Sequence, residues 1–187
     1  MTTIVAISGS LREGSLNTKL LRAAQRLAPA GTKIEEATIR GIPLYDGDEE
    51  AKQFPASVTA LKDRVIAADG VLLVSPEYNN GIPGVFKNAI DWMSRPASDI
   101  EKVFGKPFGL IGVTPGRGST SLGQAAWLPV LRTLGTMFWS GGRLGIPSAG
   151  SLFDGQGEIT DAKVKELLEK YVTGFAKFVA EQSGARG

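Results

Sequence analysis

The stretch Thr3-Ile4-Val5-Ala6-Ile7-Ser8-Gly9-Ser10-Leu11-Arg12-Glu13-Gly14-Ser15-Leu16-Asn17 decides the fold of this chain. An apolar run rich in β-branched residues leads through small polar residues into apolar positions at helical spacing. This order is typical of a buried strand, a loop and a helix start. Such a loop offers backbone N–H groups, hydroxyls and the positive end of a helix dipole to an anion. We therefore predict a phosphate-binding loop, in which Gly9 and Gly14 adopt backbone conformations closed to other residues.

Two better-known phosphate loops do not match this stretch. Ser15 stands where a P-loop requires Lys, and the dinucleotide fingerprint fails because positions 11 and 12 are Leu and Arg. What remains suits a single terminal phosphate, with Arg12 as its fixed charge. An ordinary strand-to-helix turn capped by Ser15 stays open as the alternative.

Composition narrows the classes of function. The 187 residues predict one domain, 1–187, and the formal net charge of +2 does not favour nucleic acid as a partner. No apolar run is long enough to span a membrane and no leader is visible, so we expect a cytoplasmic protein. The chain has no Cys and no His, which excludes thiol nucleophiles, Cys/His metal sites and Ser-His-Asp triads. We expect no metal, and any demanding chemistry would come from a bound cofactor.

Strand-like and helical runs alternate along the chain and predict an α/β fold. The expected architecture is a three-layer sandwich with a five-stranded parallel sheet of order 2-1-3-4-5. Ligands of such sheets bind beyond the carboxyl ends of the strands, which selects the loops after strands 1, 3 and 4. Predicted strands after the first lie at 33–38, 71–74, 108–113 and from 137; predicted helices lie at 58–68, 82–93, 124–134 (with Pro129 starting or kinking it) and from 164.

The two later loops differ in chemistry. Residues 75–84 supply an aromatic ring, two amides and a carboxylate, which suits a flat heterocycle, although a plain helix-capping loop is the alternative. Residues 114–121 place small residues around Arg117. This cation either stabilises negative charge on a bound ring or is an ordinary solvated loop residue.

Three motifs in order resemble the NADPH-dependent FMN reductase family, which includes quinone, chromate and azo-dye reductases. They are Gly9-Ser10-Leu11-Arg12 with Ser15 and Asn17, Pro76-Glu77-Tyr78-Asn79, and residues 83–92. Residues 42–46 also look like the family's loop after strand 2. The resemblance implies a flavodoxin-like fold, bound FMN, and homodimers or homotetramers.

The resemblance also assigns residues to the cofactor. It places Ser10, Arg12, Ser15, Leu16 and Asn17 at the FMN phosphate, Pro76, Glu77, Tyr78 and Asn79 along the isoalloxazine, and Gly116, Arg117 and Gly118 in the third flavin loop. Residues 115–118 depart from that loop's commonest form.

The implied activity is an FMN-dependent NAD(P)H oxidoreductase that works by alternating half-reactions. Hydride would pass from NADPH or NADH to FMN, and electrons would then pass to quinones, chromate, azo dyes or ferric complexes, with no catalytic side chain required. The main alternative is a flavodoxin-type electron carrier, although carriers of that type are usually acidic. A non-enzymatic nucleotide-binding module is a third possibility.

Two residues of the predicted third helix carry further expectations. Arg95, just before Pro96, is expected near the cofactor edge of the sheet. There, close to a neighbouring subunit's site, it would either complement the helix dipole or hold the nicotinamide's phosphates, including the 2′-phosphate of NADPH. Tyr78 is the other residue expected to bind substrate. Trp92 lies off the apolar stripe and is expected to be exposed in a lone monomer, which predicts at least a homodimer.

Overall fold

A parallel sheet forms the centre of the molecule. The computed structural model describes residues 1–184, so the last three residues of the predicted domain lie outside the described part. Within it the strand order β2-β1-β3-β4-β5 is as predicted, every pairing is parallel, and a sixth strand also pairs with β4. The strands are β1 Thr2–Ser8, β2 Thr32–Ala37, β3 Gly70–Val74, β4 Pro107–Val113, β5 Met137–Phe138 and β6 Leu144–Ile146.

The edge of the sheet beyond β4 corrects the prediction of five strands. β5 pairs with Pro107 and Phe108, whereas β6 pairs with residues 111–113, so two short strands share the fifth position. The chain between them bends around the indole of Trp139, since a Cβ on Gly141 or Gly142 would lie 2.6 or 2.7 Å from its ring atoms. Only glycine permits this close approach, and the strand is interrupted there.

Helices cover both faces of the sheet and complete the predicted three layers. One apolar cluster joins the sheet to the first and last helices, and a second joins it to four of the five helices between them. The helices are α1 Leu16–Arg26, α2 Gly47–Lys52, α3 Ala56–Ala67, α4 Gly84–Met93, α5 Ile100–Phe104, α6 Ser121–Thr133 and α7 Ala162–Gly184.

Two details of the helices differ from the sequence expectations. Pro129 lies inside α6, which begins eight residues before it, so it does not start the helix. The short helices α2 and α5 were not predicted. They have six and five residues, too few to show a helical period in the sequence.

Strand register brings the functional loops together. Ser8 is level with Val74, and Val74 is level with Ile111. Because parallel strands end at the same edge of a sheet, the loops after β1, β3 and β4 start side by side.

Candidate functional site

Three adjacent loops at the carboxyl edge, residues 9–15, 75–83 and 114–120, form the candidate site. The N–H of Gly9 donates to the carbonyl of Val74 at 2.9 Å, and the N–H of Ser75 donates to the carbonyl of Ile111 at 2.8 Å. The predicted convergence of these loops is therefore present in the structure.

The first loop ends in a capped helix. The hydroxyl of Ser15, the N-cap of α1, accepts a hydrogen bond from the N–H of Thr18 at 3.2 Å. Within residues 1–184 the N–H groups of Leu16 and Asn17 have no protein acceptor, as is usual in a first helical turn. The side chain of Arg12 is exposed beside them. The loop thus combines free amides, a helix dipole and a cation, which is a donor set for an anion.

The two glycines of this loop behave differently from the expectation. Neither has a positive φ. A Cβ on Gly9 would lie 2.2 Å from Cδ1 of Phe86, so this glycine permits the close packing of the loop on α4. A Cβ on Gly14 would meet nothing within 4 Å. The reason for glycine at position 9 is close approach, and the structure gives none at position 14.

The side chain of Asn17 joins two elements of the site. It donates to the carbonyl of Val113 at 2.9 Å and accepts from the N–H of the same residue at 3.1 Å. This buried pair of bonds fixes the start of α1 against the end of β4. Within residues 1–184 the backbone N–H of Asn17 thus has no protein acceptor, while its side chain positions the helix.

The second loop contains a tight turn. The N–H of Tyr78 donates to the carbonyl of Gly81 at 3.2 Å, and the reciprocal bond measures 3.0 Å. Asn79 and Asn80 both have positive φ, 49° and 62°, which is the signature of a type I′ turn. The turn presents Tyr78, whose surface is 44% exposed, as an aromatic wall. Pro76, by contrast, is buried beneath the loop.

Glu77 connects the second loop to the third. Its Oε2 accepts a hydrogen bond from the N–H of Gly123, in the first turn of α6, at 2.7 Å. A carboxylate at a helix N-terminus is favoured by the helix dipole. The structure thus gives Glu77 a positioning role that the sequence did not indicate.

The third loop is hydrogen-bonded to the segment after β6 and exposes the cation Arg117. Ser119 and Thr120 adopt left-handed conformations with φ of 54° and 56°. The carbonyl of Gly116 accepts from the N–H of Ser148 at 2.8 Å. Arg117 is exposed and forms no ion pair within residues 1–184. Gly118 lies against the carboxylate of Glu77.

Within its own chain Arg95 lies beyond the C-terminal end of α4, and its predicted part in substrate binding stays a prediction. α4 runs back from the carboxyl edge, and its ten residues span about 15 Å. Arg95 follows its far end and donates from Nε to Oε2 of Glu50 at 3.1 Å. Burial raises the pKa of Glu50, but hydrogen bonds from Tyr45 and Arg95 outweigh it and the net pKa is lowered. The same bond to Glu50 raises the pKa of Arg95.

The expectation that Trp92 is exposed in a lone monomer is wrong, since its side chain is fully buried within the single chain. The rings of Tyr45 and Phe54 pack edge-on against it at centroid distances of 5.0 and 5.5 Å. Its Nε1 donates to the carbonyl of Pro43 at 2.9 Å. Residues 43–54, for which the sequence predicted no contact with α4, therefore cover this face of the helix.

Asn88, which also lies on α4, has a role that the sequence did not predict. Its side chain donates to the carbonyl of Pro43 at 2.8 Å and accepts from the N–H of Tyr45 at 2.8 Å. It therefore fastens the loop after β2 to α4. The signals in the sequence were its place in the motif of residues 83–92 and a polar amide one residue before an apolar stripe position.

No metal site accompanies these loops. Among residues 1–184 no cluster of three or more carboxylates could hold a metal ion. The polar chemistry of the site is supplied by backbone amides, hydroxyls, amide side chains and the cations Arg12 and Arg117.

Comparison with known proteins agrees with this geometry. Residues 2–151 match the family model described as NADPH-dependent FMN reductase. An NAD(P)H-dependent FMN reductase of Pseudomonas aeruginosa is 39% identical over 181 residues, 97% of each chain. A 2-hydroxy-1,4-benzoquinone reductase of Burkholderia sp is 34% identical over 96% of this chain and 97% of its own.

A solved structure gives the same result. The flavoenzyme NAD(P)H:(acceptor) oxidoreductase FerB of Paracoccus denitrificans superposes with a TM-score of 0.88 at 35% identity, over 97% of this chain and 98% of its own. The flavodoxin-like fold expected from the sequence is confirmed.

Proposed function

The chain belongs to the NADPH-dependent FMN reductase family and is an oxidoreductase that uses FMN and NAD(P)H, and from that premise we propose that it works by alternating half-reactions. The proposed acceptors are quinones, with chromate, azo dyes and ferric complexes as further candidates. A quinone reductase among the relatives supports the first class. The cytoplasm is the proposed location. Among residues 1–184 no helix is both long and apolar enough to cross a membrane.

The donor set of the first loop fits the phosphate of FMN. The free N–H groups of Leu16 and Asn17, the hydroxyls of Ser10 and Ser15, and Arg12 together suit a terminal phosphate dianion. We propose that these five residues bind the phosphate. The neighbouring loops would then receive the ring system, because they begin at the same edge of the sheet.

The remaining site residues would hold and orient the ring. Bound FMN would supply the hydride and electron transfer. Tyr78 would form an apolar wall, and Asn79, in the type I′ turn, would offer polar contacts at its edge. Pro76 and Glu77 would keep that turn in place beside the third loop.

The third loop would contribute charge. Gly116 and Gly118 flank Arg117, whose unpaired guanidinium would stabilise negative charge on the ring. Tyr78 and Arg95 were the predicted contacts for the substrate. Tyr78 stays in that proposal, whereas the position of Arg95 at the far end of α4 argues against its part in it.

One observation carries this function most directly. The free N–H groups at the start of α1 and the exposed ring of Tyr78 lie at the same edge of the sheet. The chain has no His and no Cys that could carry out catalysis without a cofactor. The first test is the visible spectrum of the purified protein, followed by steady-state NADPH and NADH oxidation with a quinone. Protein that is colourless and gains no flavin from added FMN would contradict the proposal.

A flavodoxin-type electron carrier is the alternative with the same fold and cofactor. The formal net charge of +2 does not favour it, because such carriers dock through strongly acidic surfaces. Multiple turnovers of NAD(P)H with a quinone identify an enzyme. Single stoichiometric reduction without turnover identifies a carrier.

We further propose a homodimer or homotetramer. With Trp92 buried, the support now comes from exposed apolar side chains on two neighbouring helices, α4 and α6, namely Val85, Leu122 and Leu128. Tyr78, in the loop before α4, is exposed as well. Several exposed apolar side chains on neighbouring elements are typical of a protein–protein contact.

A further inference from the structure

A buried hydrogen-bond relay lies beneath the second loop and begins at α6. The indole Nε1 of Trp127 donates to the hydroxyl oxygen of Ser75 at 2.9 Å, and that hydroxyl donates in turn to the carbonyl of Pro76 at 2.9 Å. Trp127 is fully buried and Ser75 is 1% exposed. Because Ser75 is the first residue of the second loop, a core helix reaches the backbone of the candidate site through this one hydroxyl.

The ring of Trp127 is held in one orientation. Phe86 of α4 packs edge-on against it, with ring centroids 5.1 Å apart and planes at 74°. Phe86 is itself fully buried and fills the space beside Gly9, where a Cβ would lie 2.2 Å from its ring. A side chain packed this closely cannot rotate without displacing its neighbours. The indole N–H therefore has a fixed direction toward Ser75.

The relay determines the direction of the peptide group between Pro76 and Glu77. This peptide bond is trans, and in a planar trans peptide the C=O and the N–H point in opposite directions. Because the carbonyl of Pro76 accepts from the buried hydroxyl of Ser75, the N–H of Glu77 points away from that hydroxyl. Within residues 1–184 this N–H has no protein acceptor. The relay thus leaves one backbone donor available where the loop passes from the buried Pro76 to the exposed Tyr78.

We propose that Ser75 and Trp127 are positioning residues of the flavin site, which hold the N–H of Glu77 toward the isoalloxazine ring. The inference rests on the proposed function, because it assumes that residues 76–79 lie along that ring. Reduction adds negative charge to the ring, so an N–H held in a fixed direction favours the reduced form more than the oxidised form. The two residues thereby raise the reduction potential of FMN without touching it.

The first experiment compares the affinity of the apoprotein for oxidised and for reduced FMN. Fluorescence titration gives the Kd of oxidised FMN, and the midpoint potentials of bound and free FMN then give the Kd of the reduced form. Ser75→Ala should raise the Kd of reduced FMN about tenfold and that of oxidised FMN by less, because the Pro76–Glu77 peptide becomes free to turn. The midpoint potential of the bound flavin should fall accordingly. Equal changes in the two Kd values, or none, overturn the proposal.

A matched control separates positioning from packing. Trp127→Phe removes the indole N–H of the relay. Trp92→Phe removes another fully buried indole N–H, whose bond to the carbonyl of Pro43 is also 2.9 Å long. Both variants should lower the free energy of unfolding in urea, but only Trp127→Phe should lower the midpoint potential. A fall of equal size in Trp92→Phe overturns the proposal.

The double variant tests whether the relay acts as one unit. Trp127 reaches the peptide group through Ser75, so adding Trp127→Phe to Ser75→Ala should leave the midpoint potential where Ser75→Ala alone puts it. A further fall, as large as that of Trp127→Phe alone, overturns the relay. A wild type that gains no flavin refutes the proposed function together with this inference. Flavin binding with an unchanged midpoint potential in all these variants overturns the positioning role alone.

Discussion

The phenol oxygen of Tyr171 makes two hydrogen bonds to the backbone of Leu110. It accepts from the N–H at 2.8 Å and donates to the carbonyl at 3.1 Å. Leu110 lies in β4 at the gap between its pairings with β5 and β6. A side chain from α7 therefore replaces the missing strand residue at the edge of the sheet.

Tyr171→Phe should destabilise the protein without changing its activity. The substitution leaves a buried N–H and a buried carbonyl unpaired, at a cost of about 1–3 kcal/mol for each unsatisfied group. Urea unfolding measures the change in the free energy of unfolding. Tyr45→Phe is the control, since that tyrosine is partly exposed and its hydroxyl donates to the side chain of Glu50 rather than to buried backbone. Equal effects of the two substitutions would show that the Leu110 bonds are unimportant.

The same residue should make stability depend on alkaline pH. Burial raises the pKa of Tyr171, while its bond to Leu110 lowers it by less. A phenol with a raised folded pKa contributes fully below its unfolded pKa of about 10, and its contribution falls as the pH rises further. The difference in unfolding free energy between wild type and Tyr171→Phe should shrink by about 1.4 kcal/mol from about pH 9 to about pH 11. A constant difference would contradict this.

Arg12→Ala should weaken FMN binding about tenfold or more. A charge-assisted hydrogen bond to phosphate contributes about 1.5–3 kcal/mol, and 1.4 kcal/mol corresponds to a factor of ten. Fluorescence titration of the apoprotein with FMN gives the Kd, and Arg26→Ala is the control. Unchanged affinity in Arg12→Ala would mean that the backbone amides alone hold the phosphate.

Glu77→Ala should loosen the attachment of the third loop to the second. The bond from Gly123 to Glu77 is lost, so amide exchange in the first turn of α6 should rise and FMN affinity should fall several-fold. Glu77→Gln retains an acceptor and should recover much of both. A shifted flavin reduction potential in Glu77→Gln at normal affinity would instead indicate direct contact with the ring.

Arg95→Ala should lower the Tm slightly and leave both nicotinamide KM values alone. Its guanidinium is 45% exposed and pairs with the mostly buried carboxylate of Glu50, and an ion pair with one partner in solvent contributes little. Glu50→Gln breaks the same pair and should behave alike. A selective rise of the NADPH KM in Arg95→Ala alone would restore its predicted role as the reader of the 2′-phosphate.

Leu128→Asp should dissociate the proposed oligomer. The residue is 46% exposed on α6, and a carboxylate there would be desolvated in an apolar contact. Light scattering should change from a multiple of the 19.7 kDa chain mass to the monomer value. Leu167→Asp, equally exposed but on α7, should leave the mass unchanged. A wild-type monomer at micromolar concentration would refute the oligomer itself.

Local patterns predicted the parts of the site that depend on neighbours in the chain. Ser15 caps its helix, and the predicted loop after β3 contains a tight turn with positive φ at Asn79 and Asn80. The sequence did not predict which distant residues the other side chains of these loops contact. Asn17 bonds to Val113, 96 positions away, and Glu77 bonds to Gly123, 46 positions away.

The sequence by itself determined the alternation of strands and helices and the three polar loops after β1, β3 and β4, because periodicity and turn chemistry act over a few residues. The strand order followed from the general rules for parallel sheets with helical crossovers. Only the tertiary structure decided how side chains are used. It buried Trp92 under residues 43–54, carried Arg95 to the far end of α4, and set Tyr171 into the gap beside Leu110. Those outcomes depend on packing between segments that are distant in sequence, and composition and spacing contain no record of which segments meet.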